Sequence, residues 1–156
     1  MLPLHNEEFR RRCGFCNVTD GALPYPKDRK KSEKEMEKHK IAVIGLGYVG
    51  LPLARLFSTK YETIGYDLNT ERVVALMKGH DATLEVSDEL LQEAISRYGF
   101  RCTAELNEIK DCNIYIVAVP TPVDCNNRPD LRPLIGASET VGKVISKGDI
   151  VIYEST

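Results

Sequence analysis

The segment Lys40-Ile41-Ala42-Val43-Ile44 is apolar without alternation after its first residue and opens directly into Gly45-Leu46-Gly47-Tyr48-Val49-Gly50. An unbroken apolar run of this length reads as a strand covered on both faces, as in a parallel sheet layered between helices. The glycines follow the spacing G-x-G-x-x-G. Residues 48–59 (YVGLPLARLFST) then read as a helix, with Leu51, Leu53, Ala54, Leu56 and Phe57 mostly on one side. Pro52 falls in its first turn, where a missing N–H costs little. A second strand, 62–67 (ETIGYD), ends on Asp67, twenty residues after Gly47. Three glycines alone are a weak signal, but strand, turn, helix and acid in this order form the pattern that holds a dinucleotide.

Each part of the pattern has a physical task. Gly45 permits the tight strand-to-helix turn, Gly47 lets the backbone approach a pyrophosphate, and Gly50 lets the helix pack closely on the strand. The helix start offers N–H groups and a partial positive charge to the phosphates. Asp67 would accept hydrogen bonds from the adenosine ribose hydroxyls, which contribute about 1.5–3 kcal/mol when one partner is charged. The same carboxylate repels a 2′-phosphate, so the expected cofactor is NAD. Arg72 is the one nearby residue that argues the other way, since an arginine there can accommodate a 2′-phosphate.

Downstream, Asn69 or Thr70 caps a helix Glu71–Lys78 that ends at Gly79, and Ser87 with Asp88 starts another running to about Tyr98. A short strand at 100–103, a helical turn at 104–109 and a strand at 113–119 (NIYIVAV) follow. A Pro-rich loop, 120–133, leads to a helix of roughly 134–146 and a last strand, 150–153. Strands alternating with helices at this spacing imply an α/β fold of Rossmann type, a mostly parallel sheet with helices on both faces. Asp67, Thr103, Thr121 and Glu154 each lie at or just past the carboxyl end of a predicted strand, the end where such sheets bind ligands.

Residues 1–39 are unlike the rest. Residues 27–40 hold eleven charges in fourteen, seven basic and four acidic. Such a stretch buries too little apolar surface to offset its ordering entropy. We therefore divide the chain into a disordered or weakly helical extension, 1–39, and a dinucleotide-binding domain, 40–156. A net charge of −2 makes no case for nucleic acid as a partner, and no apolar run approaches the roughly 20 residues needed to span a bilayer. The amino terminus has no signal-peptide pattern, and five cysteines without framework spacing suit a reducing compartment, so the expected location is cytoplasmic. Cys13-Gly-Phe-Cys16 lacks two further ligands for zinc and a strand–helix context for redox work; His5 and His39 sit poorly for either, and His80 reads as a solvated loop residue. No metal is expected.

IAVIGLGYVGLPLA, IGYDLN, GHDATLEVSDEL, IVAVPTPVD and VIYEST, in that order, resemble the amino-terminal domain of the UDP-glucose/GDP-mannose dehydrogenase family. The likeness covers residues 40–156 and is greatest to the UDP-N-acetylhexosamine 6-dehydrogenases of bacterial polysaccharide synthesis. It implies oxidation of a UDP-sugar C6 alcohol to a carboxylate with two NAD⁺ in succession, by a protein that is a homodimer at full length. It also implies that Tyr48 and Val49 join the glycines at the pyrophosphate and that Asp67 and Arg72 hold the adenosine end. Thr103 would lie near the adenine, and Val119, Pro120 and Thr121 beside the nicotinamide ribose. Glu154, Ser155 and Thr156 would face the nicotinamide.

Two of these residues are candidates for supporting roles in catalysis. The Thr121 hydroxyl suits orienting a water or the carboxamide, and Glu154 suits a base if burial raises its pKa. A turn cap at Thr121 and a solvated loop acid at Glu154 are the plain alternatives. The family's covalent step uses a cysteine thiolate, with a lysine and an asparagine, from the second half of its members. Cys102, Cys112 and Cys125 do not carry that motif and read as core or loop residues. The expectation is a domain that binds NAD and does not turn over by itself. The rival readings are a free-standing NAD-binding module, or the cofactor half of another dehydrogenase class such as a 6-phosphogluconate-type enzyme.

Overall fold

Strand β1 (Lys40–Ile44) lies at the centre of the sheet, and its near-total burial follows from the apolar run that marks it. The computed structural model describes residues 39–154. Within them β1 is followed by α1 (Gly50–Ser58), β2 (Glu62–Tyr66), α2 (Thr70–Met77), α3 (Asp88–Tyr98) and β3 (Arg101–Thr103). A 3₁₀ turn (Leu106–Glu108), β4 (Ile114–Val117), α4 (Arg132–Gly142) and β5 (Ile150–Tyr153) complete them. The sheet order is β3-β2-β1-β4-β5, and every pair is parallel. The Rossmann-type α/β expectation holds. The charged run up to residue 38, the Cys13–Cys16 pair, Ser155 and Thr156 lie outside the described residues.

Alternation along β1 builds two cores. Ile41 and Val43 pack with Leu51 and Ala54 of α1, Leu76 of α2, and Leu91 and Ala94 of α3. Ala42 and Ile44 point the other way, toward Ile109, Tyr115, and Ala137 and Val141 of α4. Each fully buried leucine contributes about 1.5–3 kcal/mol relative to exposure. Leu56, expected on the packed side of α1, is exposed, because the buried stripe runs through Leu51, Ala54 and Ser58.

The helix ends follow their caps. Asn69 accepts from Arg72 N–H at 3.1 Å to start α2, and Ser87 accepts from Leu90 N–H at 3.4 Å to start α3. Gly99, at φ 70°, closes α3 in the left-handed conformation. The ends of two elements differ most from expectation. Helix α4 starts two residues early, where Asp130 accepts from Arg132 N–H at 3.0 Å and Pro133 occupies the first turn. It ends at Gly142 and not near Ser146, since glycine and the β-branched Val144 and Ile145 are poor helix formers. Strand β4 stops at Val117, two residues before Val119, ahead of Pro120, which has no N–H for a ladder.

The register places the carboxyl ends of the strands in one row. Just beyond the ladders, Gly45 N–H donates to Tyr66 O at 2.8 Å, Asp67 N–H to Thr103 O at 3.1 Å and Ala118 N–H to Ile44 O at 2.9 Å. Glu154 N–H donates to Val117 O at 2.8 Å. The chain leaves β1 for β2 on one side and returns to β4 on the other, so the switch point of the sheet opens at Gly45 and Ala118.

Candidate functional site

At the switch point the three fingerprint glycines meet three different surroundings. Gly45 has φ +91°, and a Cβ there would stand 3.0 Å from Ala118 O and from Val119 Cγ1. A Cβ on Gly50 would fall 1.8 Å from Gly45 O, so the helix start rests directly on the first glycine's carbonyl. Gly47 has nothing within 4 Å of its Cβ position and lines an open cleft. Tyr48 and Val49 are exposed beside it. Val49 caps α1 without a side-chain hydrogen bond, and the first turn carries no acid, so the positive end of the helix faces outward unneutralised.

Asp67 reaches back to this loop. Its Oδ2 accepts from Leu46 N–H at 2.8 Å and its Oδ1 from Asn69 N–H at 2.9 Å. Each carboxylate oxygen keeps a further lone-pair direction for a hydroxyl. Arg72 takes a different course from the one its position suggests. Its Nε and Nη2 donate to Leu46 O at 3.0 and 2.8 Å, and Nη2 pairs with Asp81 Oδ1 at 2.8 Å. Nε and Nη2 of the guanidinium are thus engaged inside the protein.

Asp81, Leu46 and Gly65 escaped the sequence reading. Asp81 is fully buried and accepts from Thr83 N–H and Oγ1–H, Glu85 N–H and Val86 N–H at 2.7–3.1 Å. Burial pushes its carboxyl up, but the bonds from Thr83, Val86 and Arg72 outweigh that and hold it at about 2. The Asp-x-Thr spacing, an Asx turn, was the available signal. Gly65 is needed because a Cβ there would lie 2.7 Å from Cδ2 of the buried Leu46.

The cleft holds about 320 Å³. Gly45, Gly47, Asp67, Val119 and Pro120 line one side, and Arg132, Pro133, Gly136, Ala137 and Thr140 of α4 line the other. The α4 contribution was not legible in sequence, because only folding brings it beside the glycine loop. Thr121 and Glu154 are not among the lining residues. Thr103 is buried, and its hydroxyl accepts from Glu105 N–H at 2.9 Å. Glu154 is exposed, so the described residues provide none of the burial on which its role as a base was premised. His80 is exposed and approaches Asp88 at 3.4 Å.

Residues 39–156 match the model of the UDP-glucose/GDP-mannose dehydrogenase family, NAD binding domain. The chain belongs to this family. A UDP-N-acetyl-D-glucosamine 6-dehydrogenase of Salmonella typhi is 52% identical over 121 residues, covering 78% of this chain and 28% of that protein. Its counterpart in Pseudomonas aeruginosa is 53% identical, with the same coverage. Among solved structures, the UDP-D-ManNAc dehydrogenase of Pyrococcus horikoshii matches with a TM-score of 0.71 at 37% identity, over 75% of this chain and 28% of that one. The chain therefore spans under a third of the length of these relatives.

The residues of this NAD-binding domain suit the dinucleotide. An open position at Gly47, an unneutralised helix start and a carboxylate one strand away are what a pyrophosphate and a ribose require. The domain's cysteines play no visible part. Burial pushes the Cys102 thiol up to about 12 and the Cys112 thiol to about 11, while Cys125 is exposed. Iodoacetamide at pH 8 is expected to label Cys125 in the folded chain and to spare Cys102 and Cys112. Peptide mass spectrometry checks this, and rapid labelling of Cys102 would contradict its burial.

Proposed function

We propose that the cleft at the switch point is the NAD⁺ site of a nucleotide-sugar 6-dehydrogenase. The observation that carries this reading is the meeting of Asp67 with the glycine loop: a carboxylate at the end of β2, 2.8 Å from the Leu46 amide, beside a helix start free of acids. On this reading Gly45, Gly47, Tyr48, Val49 and Gly50 receive the pyrophosphate on backbone amides. Asp67 accepts from the ribose hydroxyls, with Arg72 at the same adenosine end and Thr103 near the adenine. Val119, Pro120 and Thr121 border the nicotinamide ribose, and Glu154, Ser155 and Thr156 face the nicotinamide. NAD⁺ supplies a hydride acceptor. The protein supplies orientation by fixing one end of the dinucleotide against rigid strands.

The names of two similar relatives, both UDP-N-acetyl-D-glucosamine 6-dehydrogenases, support a UDP-N-acetylhexosamine as substrate; on this reading its C6 alcohol is oxidised to the carboxylate. In the complete protein Thr121 orients a water or the carboxamide, and Glu154 becomes a base once further residues bury it. The nucleophilic cysteine of such a reaction is not Cys102, Cys112 or Cys125. We further infer a cytoplasmic enzyme that works as a homodimer.

Calorimetric titration of the chain with NAD⁺ and NADP⁺ tests the reading. NAD⁺ binds in preference to NADP⁺, and Asp67→Ala weakens NAD⁺ by roughly tenfold or more, about 1.4 kcal/mol. A folded chain that binds neither, or an Asp67→Ala variant that binds NAD⁺ as the parent does, removes the site from this cleft.

A further inference from the structure

One outer edge of the sheet is the three-residue strand β3, and a sulfur covers its outward amide. Thr103 O accepts from Asp67 N–H on the β2 side, so the neighbouring Cys102 turns its N–H outward. There it donates to Met77 Sδ at 3.1 Å. Met77 is the last residue of α2 and is 40% exposed. Edge amides are commonly guarded by charge, proline or a bulge. Here the guard is an oxidisable thioether. The Cys102 thiol on the same strand is buried and pushed up to about 12, so it offers an oxidant no thiolate. A thioether needs no deprotonation, which makes Met77 the reactive sulfur at this edge.

We propose that Met77 is a site of reversible oxidation: peroxide converts its thioether to the sulfoxide, which releases the edge of β3 and weakens dinucleotide binding through Thr103 and Asp67. The sulfur lone pair attacks one oxygen of hydrogen peroxide and the O–O bond breaks. Sulfur gives up two electrons, and the proton of the transferred oxygen passes to the departing hydroxide, which leaves as water. At 3.1 Å the new oxygen has no room between sulfur and amide, since an N–H···O bond alone spans about 2.7–3.2 Å. The side chain must back away from the edge or turn its oxygen to water. Strand β3, only three residues long, then loses its hold on α2. The next residue is Thr103, whose carbonyl bonds Asp67 N–H at 3.1 Å. Loosening there reaches the carboxylate that the reading above sets against the ribose, and the binding part of this inference rests on that reading.

The test treats the 156-residue chain and its Met77→Leu variant with hydrogen peroxide, then with dithiothreitol to return disulfides and sulfenic acids to thiols. Leucine keeps the apolar bulk but cannot accept a hydrogen bond or be oxidised. Met1 and Met36 remain in both chains, so effects of their oxidation are common to both. Peptide mass spectrometry reads sulfoxide at Met77, hydrogen exchange reads the Cys102 amide, and calorimetry reads NAD⁺. In the parent, Met77 oxidises at a rate comparable to free methionine and Cys102 exchange speeds up while β1 and β4 stay protected. NAD⁺ weakens by about fivefold, the scale of one neutral hydrogen bond. Methionine sulfoxide reductases restore both properties. In Met77→Leu, Cys102 exchanges fast from the outset, and peroxide changes neither readout.

Three results overturn the proposal: Met77 left intact while free methionine is consumed, a Met77 sulfoxide with Cys102 exchange unchanged, or an equal peroxide effect on NAD⁺ in Met77→Leu. Should the variant fail to fold, the reductase decides, since it reverses methionine lesions and leaves cysteine acids in place. If the parent chain binds no NAD⁺ before treatment, the site assignment falls, while sulfoxide formation and Cys102 exchange still decide whether Met77 guards the edge.

Discussion

Gly50→Ala is expected to abolish measurable NAD⁺ binding and to lower stability by about 1–3 kcal/mol or more, the cost of overpacking where the neighbour cannot yield. The added Cβ would fall 1.8 Å from the Gly45 carbonyl oxygen, a backbone atom whose own N–H is bonded to Tyr66 O at 2.8 Å. Neither partner can swing aside as a side-chain tip would. Helix α1 must move away from β1, carrying its first-turn amides out of place. Gly47→Ala is the informative contrast. Its Cβ meets nothing within 4 Å, and its φ is not in the left-handed region, so the thermal midpoint should stay close to the parent's. NAD⁺ affinity should nonetheless fall by roughly tenfold or more, since a methyl group then stands where the pyrophosphate must approach. Melting curves and calorimetry on both variants separate the two glycines. Equal melting of Gly50→Ala and the parent would show that the loop is not packed as described.

Asp81→Ala carries the other large effect. Removing one partner of a buried ion pair typically costs about 3–5 kcal/mol, a large share of the 5–15 kcal/mol that holds an ordinary domain. Here the alanine leaves Arg72 without its anion and leaves the N–H groups of Thr83, Glu85 and Val86 without an acceptor. The loop 81–86 should open first, detected as exchange of the Val86 amide, and urea midpoints should drop accordingly.

The same carboxyl gives the stability a pH dependence of definite sign. Its pKa lies at about 2 in the folded chain against an ordinary 3.8, so the unfolded chain binds the proton more tightly. Its contribution is therefore complete above about pH 4 and is lost as pH falls toward 2. The parent should lose stability across that window more steeply than Asp81→Ala. Parallel acid titrations of the two would count against this assignment.

Much of the fold was legible because its signals are local. The apolar run of β1, the Asn69 and Ser87 caps and the closing glycine at 99 act over a few residues, and helices and strands formed where they pointed. The ends of α4 and β4 were less legible, since they depend on Asp130 capping from outside the helix and on Pro120 leaving the ladder.

The site divides along the same physical line. Sequence alone determined the glycine turn, the acid at the end of β2 and, through them, the expectation of a dinucleotide site at the carboxyl ends of the central strands of a parallel sheet. These follow from chain stereochemistry and short-range spacing, which any fold of this segment must respect. Tertiary structure decided which groups the acid and the arginine face, that α4 lines the cleft, and that Asp81 pairs with the arginine bound to the glycine loop. The contacts of Leu46 with Asp67 and with Arg72 join residues 21 and 26 positions apart. A charged side chain takes whichever buried partner the packing leaves within reach, and burial makes that partnership worth more than exposure to solvent.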